Sequence, residues 1–425
     1  FSSYFFILIP AGHIWKFVTL AYIPPTIAGV VLAYRKKYLL GGVITALFIA
    51  LQIQSNHIQM SYYFMFVILF FIIAYFVDAY EKKELPHFFK ASAILALAAV
   101  VGVCVNISNL YHTYEYSKET MRGKSELKQE GPAANQTSSG LDRDYITNWS
   151  YGIGETLTLL VPNVKGGGCS TTLSQNETAM AKANPMYGNL YSQLTPYFGD
   201  QPWTAGPVYV GAFVVFLFIL GCFIVKGPLK WALLGATIFS ILLSWGKNFM
   251  GLTDFFIDYI PMYNKFRAVS SILVIAEFTI PLLAIFALKE ILSKPDILKL
   301  KENRTGVIVT LVLTAGVALI LAVAPGVSSS SFVTAQEIAT LEQVLPAESR
   351  AQHLAPIVAN LTEMRKAVVA SDAWRSFFII VIGCVLLFLY QQRKLKASFT
   401  LAGIALLCLI DMWSVNKRYL NDEQF

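Results

Sequence analysis

The chain has 425 residues, of which 56% are hydrophobic and 14% are charged, and its formal net charge is +7. A soluble domain carries about 25% charged residues, so this composition excludes an ordinary water-soluble protein. The positive charges fall between apolar segments, which favours anionic lipid head groups over nucleic acid as partners. We therefore expect membrane lipids to be partners of this protein and nucleic acid not to be one.

The sequence carries none of the common cofactor or catalytic motifs. Its five cysteines and five histidines show no spacing typical of a disulfide framework or a zinc site. A GxxxxGK[ST] phosphate loop, a GxGxxG fingerprint and an HExxH helix are also missing. The sequence predicts no metal site and no covalently bound cofactor, and nothing in it predicts a divalent metal or an oligomeric state.

Ten apolar runs of 14 to 24 residues follow one another along the chain. A membrane-spanning helix needs roughly 20 residues, or fewer when it ends against protein or a water-filled cavity, so the shortest runs fit only marginally. The ten runs are residues 20–34, 39–53, 62–80, 91–110, 208–225, 231–245, 269–292, 306–324, 377–390 and 399–413. Every second break is rich in Lys and Arg, namely 35–37, 82–90, 226–230, 289–304 and 393–396. Short basic loops stay on the cytoplasmic side. The pattern predicts an all-α polytopic membrane protein with about ten transmembrane helices.

These runs divide the chain into five regions. Residues 1–110 hold an interfacial start, interrupted by His13 and Lys16, and the first four helices, of which the first should be kinked by Pro24 and Pro25. Residues 111–207 form a long extracytoplasmic loop with a charged half at 114–130. Residues 208–325 hold helices five to eight. Residues 326–374 form two amphipathic helices that lie on the membrane or cover the long loop, and 375–425 hold the last two helices and an outer end. Because the chain starts and stops abruptly, we expect it to be a fragment of a longer protein.

Three polar clusters fall at the predicted outer ends of the helices. The first, at 52–63, contains His57, Gln59 and Tyr62 among uncharged donors and acceptors that suit hydroxyl-rich or phosphate ligands. The alternative for this cluster is a polar turn at the bilayer surface.

The second cluster, at 140–156, contains two candidate carboxylates. Asp144 could act as a general base or ligand, or could form a plain surface ion pair with Arg143. Glu155 precedes an apolar stretch, where partial burial would raise its pKa. Both are candidate catalytic residues.

The third cluster places the cations Lys247, Lys265 and Arg267 in an outer loop, against the usual distribution of charge. Such cations usually have an anionic partner, and Arg can bind a phosphate through two parallel hydrogen bonds. A lipid phosphate or diphosphate would satisfy them, and so would ordinary salt bridges to Asp254 or Asp258. Glu277 and Asp411 lie inside predicted spans, where each is a candidate for a cavity or, with more weight, a helix contact.

Several short motifs, spread over almost the whole chain, together resemble the YfhO family of bacterial membrane proteins. They are SNHIQMSYY at 55–63, DRDY at 142–145, ET at 155–156, LVPN at 160–163, NKFRA at 264–268 and DMWSVNKRYL at 411–420. That family resembles the GT-C class of glycosyltransferases, which take a sugar from a polyprenyl phosphate and transfer it on the outer side of the membrane.

The resemblance implies a GT-C-like fold in the bacterial cytoplasmic (inner) membrane and a glycosyltransferase activity with a polyprenyl-phosphate sugar as donor. The acceptor would be an envelope glycopolymer, a glycolipid or a protein. Arg267, helped by Lys265 or Lys247, would hold the donor phosphate, and the first cluster would line the sugar pocket. Asp144 or Glu155 would bind the acceptor or assist a catalytic base that lies before residue 1.

Two other classes of function stay open. A transporter or flippase of lipid-linked saccharides would carry its polar groups near the bilayer midplane, often within repeated topology. A non-catalytic protein of envelope assembly is the third possibility. The polar clusters of this chain gather at the outer helix ends instead, which favours chemistry at that surface.

Overall fold

The computed structural model describes residues 2–120, 122–123 and 140–421, and every regular element in these ranges is a helix. The chain divides into two compact units. The first unit comprises Phe1–Ala11, Gly152–Ile224 and Leu283–Phe425, and the second comprises Gly12–Tyr151 and Val225–Leu282. Part of the predicted charged half of the long loop, namely residues 121 and 124–130, lies outside the described residues.

Seven helices in the described ranges are long and apolar enough to cross a membrane. They are Ile14–Tyr34, Ile58–Glu81, Leu85–Cys104, Val269–Ser293, Lys301–Val323, Arg350–Gln391 and Ala397–Asn416. The helices Pro228–Ser244 and Gly246–Tyr259 meet at a bend of 109° and add an eighth span if the pair is counted as one. The protein is therefore an all-α multi-pass membrane protein, as the sequence predicts.

The predicted count of ten spans is not reproduced. The runs 39–53 and 208–225 form helices of only 17 and 13 residues, Tyr38–Gln54 and Ala212–Ile224, and the run 231–245 belongs to the bent pair. The second short helix starts late because Gly211, with φ of +106°, precedes it. The first candidate span starts at Ile14 rather than at residue 20, so it includes part of the predicted interfacial start.

Prolines and glycines shape the first helices of the second unit. The helix Ile14–Ala21 ends at a turn at Tyr22, and Pro24 and Pro25 occupy the first turn of the next helix. Proline fits there because first-turn amides have no partner inside the helix. The helix is thus interrupted at Tyr22, next to the predicted kink and within the candidate span Ile14–Tyr34. Gly29 and Gly41 then let two helices approach closely, since a Cβ on Gly29 would lie 2.5 Å from the Thr45 hydroxyl.

Three basic turns end their helices in the same way. The residues Lys36, Lys83 and Arg393 have left-handed φ values of 66°, 59° and 60°. In each turn the next amide donates to the carbonyl five residues earlier, the hydrogen bond of a Schellman motif. We call the turns 35–37 and 82–84, together with 225–230, the basic end of the second unit.

The two amphipathic helices predicted within residues 326–374 carry apolar stripes at 338–345 and 354–368. Both stripes pack in one apolar cluster of the first unit. Leu341, Ile357, Leu361 and Met364 are buried there against loop residues that include Tyr191. The second stripe does not form a separate helix, because the 45-residue helix Ala347–Gln391 runs without a break from this cluster into a span. Of the two predicted alternatives, lying on the membrane or covering the long loop, the second is observed, since both stripes cover part of the loop.

One fully buried arginine fixes this cluster to the loop. The guanidinium of Arg365, which is 0% exposed, donates to both carboxylate oxygens of Glu337 and to the backbone carbonyls of Thr195 and Phe332. A buried charge needs such partners to offset its loss of hydration. Arg365 thus ties the long helix to two loop segments of the first unit.

Candidate functional site

The eight residues predicted for the site divide between the two units. The second unit contains seven of them, and the first unit contains Glu155. The seven are His57, Gln59, Tyr62, Asp144, Lys247, Lys265 and Arg267.

The first polar cluster contacts the Arg267 turn directly. The Gln59 amide donates to the Arg267 carbonyl at 2.8 Å and to the Tyr63 hydroxyl at 2.9 Å. The Tyr62 hydroxyl donates to the Pro261 carbonyl at 2.8 Å. Two clusters that are about 200 residues apart in sequence therefore meet in the second unit, as a shared site requires.

The backbone around this meeting point is strained. Asn56, Met262 and Ala268 all have left-handed φ values, of 56°, 69° and 57°. For residues other than Gly, Asn and Asp this conformation costs roughly 1–2 kcal/mol each, so the cost falls on Met262 and Ala268. Such strain persists only where the surrounding structure over-determines it, and it is frequent at ligand sites. The two left-handed residues Met262 and Ala268 bracket the segment that presents Arg267.

The Arg267 side chain is exposed and is held by aromatic residues. Its guanidinium donates to the Tyr145 hydroxyl at 2.6 Å and lies 5.4 Å from the Tyr145 ring centre and 5.9 Å from that of Trp149. The ion pairs of the described residues do not include it, because Asp254 and Asp258 pair with Arg143 instead. Its charge is oriented by the rings without being neutralised by a carboxylate.

Two basic residues outside the predicted set extend this positive region. Lys16 is 8% exposed, and its ammonium donates to the Ser271 hydroxyl at 3.1 Å. His13 lies close enough for the charges of Lys16 and Arg267 to lower its pKa, in addition to a larger effect of burial. The sequence signal for Lys16 was a single lysine in an otherwise apolar helix, which we interpreted only as an interruption.

His57 belongs to the same positive region. Burial first, and then the charges of Lys16 and His13, lower the pKa of His57 from 6.5 to about 4. Its Nδ1 atom is buried and has no hydrogen-bond partner among the described residues. We name His13, Lys16, His57 and Arg267 the cation cluster. An anion bound there would stabilise the positive charges of Lys16 and Arg267 and the protonated forms of the two histidines, so it would raise the pKa of His57.

Lys265 and Lys247 have other neighbours. The Lys265 ammonium donates to the Arg122 carbonyl at 2.7 Å, and burial lowers its pKa. Lys247 is exposed and lines a pocket of about 430 Å³ with Asp144 and Arg143. Neither contact involves the cation cluster, so Arg267 carries the stronger case for phosphate binding among the three predicted cations.

Asp144 lies at the start of a short helix, Arg143–Thr147. The Asp142 side chain caps this helix by accepting from the Asp144 amide at 2.9 Å. Arg143 points away from both acidic neighbours and donates to Asp254 and Asp258 at 2.6 Å each. The predicted ion pair within the Asp142–Asp144 segment is therefore wrong, and the Asp144 carboxylate is exposed at the rim of the Lys247 pocket.

The segment from 141 to 151 is fastened to the elbow of the bent helix pair. The Ser150 hydroxyl accepts from the Lys247 amide at 2.8 Å, and the Tyr151 amide donates to the Ser244 carbonyl at 2.8 Å. Gly246, with φ of +46°, allows this approach, since a Cβ there would lie 2.1 Å from the Ser150 oxygen. These bonds fix the position of Tyr145 and Trp149 under Arg267.

A large apolar groove lies beside the cluster in the second unit. Its volume is about 850 Å³, and it runs along the helices Ile23–Tyr34, Tyr38–Gln54 and Ile58–Glu81. Its walls reach Tyr62 and Phe266, the residue next to Arg267, while Ile72 lines the opposite part. Apart from a few hydroxyl and amide groups, its lining side chains are apolar. A hydrocarbon chain is the ligand that such walls fit best.

Glu155 is enclosed within the first unit. It is 2% exposed, its Oε1 accepts from the Tyr197 hydroxyl at 2.5 Å, and its Oε2 accepts from the Gly152 amide at 2.6 Å. Burial raises the pKa of its carboxyl, although these two hydrogen bonds oppose the shift. Gly199 makes room for it, because a Cβ there would lie 2.1 Å from Oε1. The rise in pKa agrees with the sequence argument, whereas the predicted catalytic role stays a prediction.

The two carboxylates inside spans have different surroundings. Asp411 is buried against the Tyr209 hydroxyl at 2.8 Å and forms an ion pair with Arg375, so it joins the helices Ala347–Gln391 and Ala397–Asn416 of the first unit. This is the predicted helix contact. Glu277 is 3% exposed, and neither of its carboxylate oxygens has a hydrogen-bond partner among the described residues.

Comparison of the chain with protein-family models, with curated proteins and with solved structures gave no match. The resemblance to the YfhO family and to the GT-C class therefore stays a prediction. Among the described residues there is also no group of three or more His, Cys, Asp or Glu side chains that could hold a metal ion.

Proposed function

We propose that the protein is a GT-C-type glycosyltransferase of the bacterial cytoplasmic membrane. It would take a sugar from a polyprenyl phosphate and transfer it to an envelope glycopolymer, glycolipid or protein on the outer side. The observation that carries this proposal is the cation cluster beside a groove of about 850 Å³ with apolar walls. A polyprenyl phosphate has the matching chemistry, since it joins a long hydrocarbon chain to a compact anion.

Within this proposal the cation cluster binds the donor phosphate. Lys16 supplies a charge that is largely shielded from water, and Arg267 supplies an accessible one that the aromatic rings orient. Charges at fixed positions around the leaving phosphate would stabilise the negative charge that develops on it during transfer. Gln59 and Tyr62 lie against the same turn and would contact the sugar.

The acceptor side of the reaction needs a carboxylate that the hydroxyl can reach. Asp144 is exposed and lies on the segment that also carries Tyr145. Glu155 is enclosed by its own hydrogen bonds, so the acceptor could reach it only after a rearrangement of the loop. We therefore assign acceptor binding to Asp144 rather than to Glu155. A general base at the attacking hydroxyl would contribute about 10²–10⁴ in rate.

The test is transfer in membranes of the native host, which contain the natural acceptors. Membranes with the protein, with an Arg267→Ala variant or without the protein receive a radiolabelled polyprenyl-phosphate sugar. The proposal expects label in a larger product only with the active protein, and at least a tenfold loss with the variant. Translocation of the labelled lipid without product would identify a flippase instead. If the protein changes neither product formation nor translocation of the lipid, the result would favour the non-catalytic role in envelope assembly.

A further inference from the structure

A second charged cavity lies at the basic end of the second unit, far along the helices from the groups considered so far. Its volume is about 460 Å³. Arg35, Lys36, Lys82 and Lys226 line it, together with Asp78 and Glu84. Four cations against two carboxylates leave an excess of two positive charges, with His87 counted as neutral.

The ion pairs inside this cavity show which charges are available. Lys82 pairs with Asp78 at 2.8 Å, and Lys36 pairs with Glu84 at 3.1 Å. The ion pairs of the described residues include neither Arg35 nor Lys226, although Arg35 interacts with the Tyr75 hydroxyl. The two excess positive charges therefore belong to Arg35 and Lys226, and an anion would meet both at the mouth of the cavity.

The floor of the cavity is rigid and aromatic. The Tyr34 ring stacks on Tyr75 at 4.5 Å and on Phe88 at 5.6 Å. His87 is fixed by two hydrogen bonds: its Nε2 donates to the Tyr34 carbonyl at 2.9 Å, and its Nδ1 accepts from the Tyr38 hydroxyl at 2.6 Å. Because a carbonyl can only accept, Nε2 is the protonated nitrogen. The shape of the cavity is therefore held by contacts that do not require a ligand.

A groove of about 450 Å³ adjoins this cavity and shares Asp78 and Pro228 with it. Apart from Asp78 and Glu81, its lining residues are apolar. Ile73, Val77 and Trp231 line the groove and are 52%, 48% and 64% exposed. A soluble phosphate would use only the charged cavity, whereas a phospholipid would also place an acyl chain along these side chains. The groove therefore favours a lipid as the source of the anion.

We propose that this cavity binds the phosphate head group of an anionic phospholipid, with one acyl chain in the adjoining groove. Short basic loops face the cytoplasm, where the leaflet presents anionic lipids and each nearby Lys or Arg strengthens attraction. The proposal does not depend on the function of the cation cluster. It gives the second unit a lipid that holds the ends of the helices Ile23–Tyr34, Ile58–Glu81 and Pro228–Ser244 together.

The experiment measures lipid retention by native mass spectrometry of the delipidated protein after addition of phosphatidylglycerol or phosphatidylcholine. We expect one phosphatidylglycerol to be retained in preference, and a double variant Arg35→Gln, Lys226→Gln to lower that retention about 30-fold. The control variant Lys301→Gln, Lys394→Gln removes the same charge from other exposed basic positions and should retain the lipid. Equal loss in both double variants would overturn the assignment of the site.

A comparison of melting temperatures and a competition with glycerol 3-phosphate test the proposal independently of the double variant. Because Arg35 also contacts Tyr75, the single variant Lys226→Gln serves if the double variant does not fold. Phosphatidylglycerol should raise the melting temperature of the wild-type protein more than that of Lys226→Gln. Glycerol 3-phosphate at the same concentration should not displace the lipid. Full displacement, or an equal shift in melting temperature for both proteins, would overturn the proposal.

Discussion

Replacing Arg267 tests the phosphate site most simply, because the side chain is exposed and its loss should leave the fold intact. Toward the described residues, the Arg267 side chain uses one of its five N–H groups, in the bond to the Tyr145 hydroxyl. The others remain able to form a bidentate pair with a phosphate. A hydrogen bond to a charged group contributes about 1.5–3 kcal/mol, which corresponds to roughly a 10- to 150-fold change in Kd. Because the side chain is exposed to solvent, we expect Arg267→Ala to raise the Kd for polyprenyl phosphate by about 10- to 30-fold, in the lower part of this range.

The assay compares the binding of polyprenyl phosphate with that of the same polyprenol without its phosphate, to purified protein in detergent. Arg267→Ala should weaken only the phosphate-bearing ligand, and Arg267→Lys should fall between it and wild type because the charge stays while the planar fork is lost. Arg304→Ala, at an exposed arginine in the first turn of the helix Lys301–Val323, is the matched control. An unchanged Kd for Arg267→Ala, or an equal loss with the control, would refute the reasoning.

Three further predictions address the fold and the site. Gly246→Ala should detach the segment that carries Asp144 and the aromatic rings, which increases its cleavage by protease, whereas Gly251→Ala, where a Cβ meets nothing within 4 Å, should not. Because the pKa of His57 is near 4 in the folded state and 6.5 ordinarily, the unfolded state binds the proton more tightly. Stability should therefore fall as the pH drops from 6.5 toward 4, and His57→Gln should remove that part of the pH profile of thermal unfolding. Arg365→Met leaves Glu337 without its ion pair and should lower the free energy of unfolding by about 3 kcal/mol; a change below about 1 kcal/mol would contradict the structural role.

The membrane class could be predicted because it depends only on apolar length and charge spacing. Each of the ten predicted runs coincides with an apolar helix, but run length did not show where a helix stops. Gly211 delays the start of one helix, and Gly246 lies at the bend between two others; both have positive φ values. A single glycine inside an apolar run does not predict either effect. The interruption of the helix next to Pro24 and Pro25 could be predicted, because proline fixes its own backbone dihedral angle.

The candidate site could be predicted in part for a similar reason. Polar residues at helix ends identified His57, Gln59 and Arg267, and tertiary contacts bring these together. Lys16 was missed as a site residue because its role depends on burial against Ser271, which lies 255 residues away in sequence. One of the two alternatives for Asp144, an ion pair with Arg143, could not be decided from the sequence, because the actual partners of Arg143 are Asp254 and Asp258, more than 100 residues away.

The central claim is that a polyprenyl phosphate occupies the groove with its phosphate at the cation cluster. Photo-crosslinking with a polyprenyl phosphate that carries a diazirine near its head tests this claim directly when the labelled peptides are mapped by mass spectrometry. We predict labels on the groove walls near Tyr62 and Phe266, which Lys16→Gln and Arg267→Ala reduce. Labels spread evenly over the exposed faces of the spanning helices, and unchanged in both variants, would contradict it.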